Sequence, residues 1–248
     1  MGIDNGTRVA VVAGGSRGIG RAIVRRLADQ GYAVVVGYAG NAAEADAAVK
    51  EATAAGAQAI AYQADIADET AVAGMFDAAE ARFGGVDAVL NLAGALYLSP
   101  VAELDLDRLD ALHRVNIRGA FVVAREAARR VRQGGSITLF STSVVGSYHP
   151  SYAAYAASKG AVEALTKVLA REMGGRDVNV NAVAPGPTAT ELFFDGKTDE
   201  EIARLSQANP FGRLGEPHEI AELAAFLSSA AGHWVNGQVV KANGGMVL

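Results

Sequence analysis

The chain has 248 residues, half of them hydrophobic, with 29 glycines and few aromatics, enough for one α/β domain with a full core. Its 22 basic and 27 acidic residues leave a net charge of −5, which offers nucleic acid no basic surface. There is no cysteine, so disulfides, thiolate nucleophiles and cysteine-based zinc sites are excluded.

In chain order, "RVAVVAG" (8–14) reads as a strand and 20–31 as a helix stopped by Gly31. A strand at 33–38, a helix at 42–56, a strand at 58–65 and a helix at 68–84 follow. Strands at 86–94 and 135–142 flank a long helical stretch near 105–132. Then come a helix at 151–173, a strand at 178–186, a helix at 217–230 and a last strand at 237–245. The strands are continuous apolar runs, as expected for parallel strands covered on both faces. Strand–helix alternation throughout predicts βαβ units in one doubly wound, Rossmann-type parallel sheet with helices on both faces. No linker or repeat interrupts it, so residues 1–248 read as a single domain.

No uncharged apolar run approaches the length of a bilayer span. The start, "MGIDNGTRVAVVAGG", lacks the basic leader and long apolar run of a signal peptide. Gly6 stands where a myristoylation site after Gly2 would want Ser or Thr. The expectation is a cytoplasmic protein with no membrane or nucleic-acid partner. His113, His149, His218 and His233 are scattered without ligand spacing, so no metal site is expected.

"AGGSRGIG" (13–20) falls between the first strand and the first helix. Gly14, Gly18 and Gly20 suit a tight turn that lets a dinucleotide pyrophosphate approach backbone N–H groups at a helix N-terminus. The second strand ends "VVVGYAGN", so Gly37 to Asn41 include no acid; the first, Glu44, lies in the next helix. An acid at that strand end holds a ribose 2′-hydroxyl, whereas Arg accommodates a 2′-phosphate. With Arg17 in the loop, the pattern predicts NADP(H).

"YAASK" places Tyr155 four residues before Lys159, and Tyr152 lies seven before it. On a helix those offsets are about 6 Å and 10.5 Å along the axis. A nearby ammonium favours a phenolate, so Tyr155 is expected to have its pKa lowered by Lys159. The pair alone could equally be an ordinary helical surface pair. Ser143, just past the strand at 135–142, could hydrogen-bond a carbonyl oxygen or cap a helix. Asn116 in "LHRVNIRGAF" is a mediocre helix former and by pattern alone could be a tolerated polar residue.

These segments, with "NLAG" (91–94), "STSVVG" (141–146) and "APGPTATE" (184–191) in that order, resemble the short-chain dehydrogenase/reductase family over nearly the whole chain. The resemblance implies a seven-stranded parallel sheet and a homotetramer or homodimer built through two long helices. It implies Tyr155 as the general acid and Lys159 as its pKa-lowering partner that also holds the nicotinamide ribose. Ser143 would polarise the carbonyl, and Asn116 would hold a water in a proton relay ending at Lys159. Asp65 would contact adenine, Asn91 would steady the central strand near the ribose, and Pro185, Gly186 and Thr188 would contact the nicotinamide. Ser16, Ile19, Asn41, Ile66, Ala93 and Gly94 complete the implied cofactor set. Ala13 and Leu92 depart from the family's Thr and Asn at those places, each removing a supporting hydrogen bond without touching the proton-transfer residues.

Related enoyl reductases use a tyrosine seven before the lysine, the spacing of Tyr152, but with a different glycine pattern. The expected activity is therefore NADPH-dependent reduction of a small carbonyl compound. The alternatives are a 3-oxoacyl-(acyl-carrier-protein) reductase and a non-catalytic dinucleotide sensor. The segment 188–215, with Leu192, Phe193, Phe194, Ile202 and Leu205, resembles the family's substrate lid; the two Phe could instead be core. Arg176 matches one position of the family's carrier-docking patch, while the other falls on Gly134, with Arg132 displaced by two residues.

Overall fold

All seven apolar runs form strands of one parallel sheet. The structure, a computed structural model, describes residues 6–248; the leader reading of residues 1–5 lies outside the described residues. The strands are β1 (Val9–Ala13), β2 (Ala33–Tyr38), β3 (Ala59–Gln63), β4 (Val86–Asn91), β5 (Val131–Phe140), β6 (Asn179–Pro185) and β7 (Val239–Ala242). Their order is β3-β2-β1-β4-β5-β6-β7, every pair parallel. The helices are α1 (Gly18–Asp29), α2 (Ala42–Ala54), α3 (Glu69–Phe83), α4 (Leu106–His113), α5 (Ala120–Arg130), α6 (Val144–Ser147), α7 (Ala153–Glu172), α8 (Glu191–Phe194), α9 (Asp199–Ser206) and α10 (Pro217–Leu227).

The sheet is apolar on both faces, so it needs a helical layer on each. One core joins Val11, Val35, Val89 and Ile137 to Phe76 of α3 and Val123 of α5. The other joins Val12, Val34 and Leu90 to Leu27 of α1 and Ile220 of α10. Each fully buried Val, Leu or Ile contributes about 1.5–3 kcal/mol, which fixes the register of strands that have few polar landmarks. Strand order reverses between β1 and β4, and the crevice at that switch point is where such folds bind ligands.

Two element boundaries differ from the expectation. The long helix near 105–132 is interrupted by a π-helical turn at Arg114–Gly119, a feature often found at functional sites. In addition, β5 begins at Val131 and bulges against β4 between Val86 and Ala88. The carbonyls left at the end of α5 are partnered by the Arg176 guanidinium, which donates to Ala128 O and Val131 O. No described helix is long and apolar enough to cross a membrane.

Candidate active site

The glycine loop is folded by contacts that exclude side chains. A Cβ on Gly14, whose φ is +84°, would sit 2.7 Å from Ala93 N, and one on Gly20 would overlap the Gly14 carbonyl oxygen. Gly14 N and Gly15 N both donate to Gly37 O, tying the loop to the end of β2. The N-terminus of α1 therefore opens on a cavity of about 850 Å³, with no acid in its first turn. Ser16, Arg17, Gly18 and Ile19 line that cavity, as do Asn41, Asp65, Ile66, Ala93 and Gly94. Pro185, Gly186 and Thr188 close the side beyond β6. A chain of amide donors at a helix end, under a glycine cradle and beside an exposed arginine, fits a dinucleotide.

Asn91 is the exception among the expected cofactor residues. It is buried at the end of β4, off the cavity wall, and its Oδ1 has no partner among the described residues. Its expected contact near the ribose is replaced by a place inside the sheet. Arg17 is exposed and makes no ion pair among the described residues. Glu44 also reaches the cavity, despite lying in α2, and Arg21, paired with Glu51 at 2.5 Å, stands near it. Asp65 accepts from Ala67 N at 2.9 Å and pairs with Arg114 at 2.8 Å. Those two donors, the Ala67 amide first, hold its carboxyl below the usual range.

Tyr155 and Lys159 share one face of α7, and Lys159 Nζ lies 6.0 Å from the Tyr155 ring centre. Lys159 is buried and donates to Phe140 O at 2.9 Å. Here the expected pKa effect is reversed. Burial pushes the Tyr155 phenol up to about 12, with the Thr142 hydroxyl pulling the other way. Burial likewise pushes Lys159 down to about 8. The spacing argument captured the proximity of the two groups but not the loss of water around them, and desolvation favours the neutral form of each. Tyr152 begins α7 and lines the same cavity.

Asn116 sits in the π turn, buried. Its Oδ1 accepts from Ala95 N at 2.8 Å, and its amide donates to Ala95 O at 2.9 Å and to Ser158 Oγ at 3.0 Å. Both amide protons are therefore engaged. The side chain braces the strand β4 loop against α7, where the sequence led us to expect a holder of water. A Cβ on Gly94 would lie 3.2 Å from Asn116 Oδ1 and 3.3 Å from Lys159 Nζ, so all three converge.

Ser143 lies on the cavity wall but is 3% exposed. Its Oγ donates to Ala184 O at 3.1 Å and accepts from Asn243 Nδ2 at 3.0 Å. Asn243 and Arg114 were not expected to take part; neither carries a local signal, because their partners are far away in sequence. The 188–215 segment covers the cavity with Leu192, Phe193 and Leu205, and His149, Lys197 and Met246 complete this end. Phe194 is 42% exposed and off the cavity wall; it packs edge-on against Phe193, ring centres 5.5 Å apart. Neither Phe is a core residue.

The family model described as "Enoyl-(Acyl carrier protein) reductase" matches residues 13–247. An Arabidopsis thaliana protein named NADPH-dependent aldehyde reductase-like protein, chloroplastic, is 43% identical across 97% of this chain and 94% of its own length. The chain belongs to the short-chain dehydrogenase/reductase family. Among solved members, the short-chain dehydrogenase/reductase of Serratia marcescens BCRC 10948 superposes with a TM-score of 0.93 at 39% identity, covering 97% of this chain and 98% of the other. A short-chain dehydrogenase of Burkholderia cenocepacia J2315, solved in complex with NADP, gives 0.91 at 36% identity over 96% and 97%. Members of the family are NAD(P)-dependent oxidoreductases, and the chain's parallel sheet is the Rossmann-type sheet of that family.

Proposed function

We propose that the chain is an NADPH-dependent reductase of small aldehydes, ketones or diketones, working as one domain. The observation that carries this reading is a phenol and a buried ammonium on one stripe of α7, both facing a glycine-lined cavity. Gly14, Gly18, Gly20 and the α1 N-terminus would hold the pyrophosphate, and Asp65 and Ile66 the adenine end. Pro185, Gly186 and Thr188 would hold the nicotinamide end, and Lys159 the adjoining ribose. When bound, the reduced nicotinamide supplies the hydride. The chain supplies the proton: a phenol held up to about 12 stays protonated across the neutral range and can give its proton to the carbonyl oxygen. A hydroxyl from the 141–143 turn orients that oxygen. Consumption of NADPH with a panel of simple carbonyl compounds tests the reading; no turnover with any of them would leave the sensor alternative standing.

The NADP(H) preference rests on Arg17 and on the absence of an acid from Gly37 to Asn41; the relative named as NADPH-dependent and the relative solved with NADP support it. Arg17→Ala is expected to weaken NADPH binding by about tenfold or more, the loss of one charge-assisted contact. NADH binding should hardly change. Fluorescence titration with both cofactors checks this, and equal affinities of the unaltered protein would remove the basis for the assignment.

Arg176 bears on the acyl-carrier alternative. Its guanidinium closes the end of α5, leaving it a poor point of attachment for an acidic carrier. Leu192, Phe193 and Leu205 over the cavity also suit a compact apolar substrate. We expect higher kcat/KM on a small ketone than on a 3-oxoacyl carrier-protein thioester. A large advantage for the thioester, lost in Arg176→Glu, would reverse the assignment. A homotetramer in the cytoplasm fits this reading, with Leu106, Phe121 and Val168 left exposed on the long helices.

A further inference from the structure

Three consecutive hydroxyls follow β5, and the fold gives each a different set of partners. Ser141 Oγ donates to Glu163 Oε1 at 2.7 Å. Ser143 Oγ donates its single proton to Ala184 O at 3.1 Å, accepts from Asn243 Nδ2 at 3.0 Å, and is 3% exposed. Thr142 Oγ1 accepts from Val144 N at 3.3 Å, is half-buried on the cavity wall, and lies beside the Tyr155 phenol.

Polarising a carbonyl oxygen requires a donated proton, and a hydroxyl has only one. For Ser143 to give that proton to a substrate it must leave the Ala184 carbonyl, a buried acceptor whose loss of its partner costs about 1–3 kcal/mol. Thr142 has no such obligation. Its one recorded bond is as an acceptor, which leaves its proton free, and its oxygen lies on the same side as the Tyr155 oxygen. Two donors converging on one oxygen is the arrangement that stabilises developing negative charge there.

We propose that Thr142, rather than Ser143, is the catalytic hydroxyl that hydrogen-bonds the substrate carbonyl beside Tyr155, and that Ser143 is a positioning residue. Ser143 joins the end of β5 to β6 through Ala184 and to the C-terminal loop through Asn243. Its backbone N–H strengthens the same seam by donating to Pro185 O. The proposal rests on the carbonyl-reductase reading of the site.

The test compares Thr142→Val, Thr142→Ser and Ser143→Ala, each loaded with NADPH and assayed on a ketone that the unaltered protein reduces. Thr142→Val is expected to lower kcat about 10²-fold, the usual cost of one donor to a developing oxyanion. Its NADPH affinity should stay within about twofold, and Thr142→Ser should restore most of the rate. Ser143→Ala should lower the melting temperature while reducing kcat less than about tenfold. A collapse of turnover in Ser143→Ala with Thr142→Val still active would overturn the proposal, as would failure of Thr142→Ser to recover the rate. A readout independent of turnover is a crystal of the NADP complex soaked with acetophenone. Its oxygen is expected on Thr142 Oγ1 and Tyr155 Oη, and an oxygen bonded to Ser143 Oγ instead would also overturn it. Absence of turnover in the unaltered protein would speak against the reductase reading itself, while the soaked crystal would still decide between the two hydroxyls.

Discussion

Tyr155→Phe is expected to lower carbonyl reduction by about 10²–10⁴-fold, the range for a lost general acid, while NADPH binds nearly as before. The substitution removes one oxygen and keeps the ring that lines the cavity. Tyr152→Phe is expected to be mild, within about fivefold by the same scale. Tyr152 begins α7 and is only half-buried, and its nearest charges are Arg204 and Glu201 of α9, with Lys159 not among them. Steady-state turnover and cofactor titration of both variants check the pair. A Tyr155→Phe enzyme that keeps most of its activity, with Tyr152→Phe dead, would move the chemistry to the tyrosine seven residues before the lysine. That spacing is the one seen in enoyl reductases, the activity in the matching family model's description.

Lys159→Met is expected to abolish turnover and yet make the protein harder to melt. The ammonium is buried, and the folded chain releases its proton near pH 8 against an ordinary value of 10.5. Between those values the unfolded chain binds more protons, so stability rises with pH there. Below about pH 8 the whole cost of burying the charge is present, on the order of 3 kcal/mol. Methionine keeps most of the aliphatic stem and removes the charge, although it leaves Phe140 O without that donor. The melting temperature at pH 7, measured without added cofactor, should rise by a few degrees, and the gap should close towards pH 10. A variant that melts lower at pH 7 would show that the Phe140 contact outweighs desolvation. Turnover by the unaltered enzyme should likewise fall as pH passes about 8, because the charge beside Tyr155 is lost.

The legible features were those whose signals are local. The strands could be read because uninterrupted Val and Ala runs suit a sheet covered on both sides. The glycine loop could be read because its neighbours, a strand and a helix, adjoin it in sequence. The spacing of Tyr155 and Lys159 reads directly off a helix. What escaped depends on distant partners. Val131 was assigned to a helix because the arginines before it look helical, and only the bulge against Val86 draws it into β5. The π turn exists where Asn116 meets Ala95 and Ser158, 21 and 42 residues away. The orientation of Ser143 is set by Ala184 and Asn243, 41 and 100 residues away. Burial reversed the expected pKa effect at Tyr155 for the same reason: no short window of sequence reports how much water a folded cavity admits.

The π turn at Arg114–Gly119 also limits how the chain can change in length. A regular helix turns by about 100° per residue, and a π turn accommodates one residue more than the α repeat would. Deleting any one residue there would let α4 and α5 fuse into a continuous helix. The buried stripe of Val123 and Ala127 would then swing by about a quarter turn relative to Leu112. Either that stripe or the Asn116 amide would lose its place, since one rigid rod could not serve both. Substitutions at the exposed Arg118 should be absorbed with little effect, whereas a single-codon loss nearby should disconnect the β4 loop from α7. In this stretch selection acts on the number of residues more strictly than on their identity.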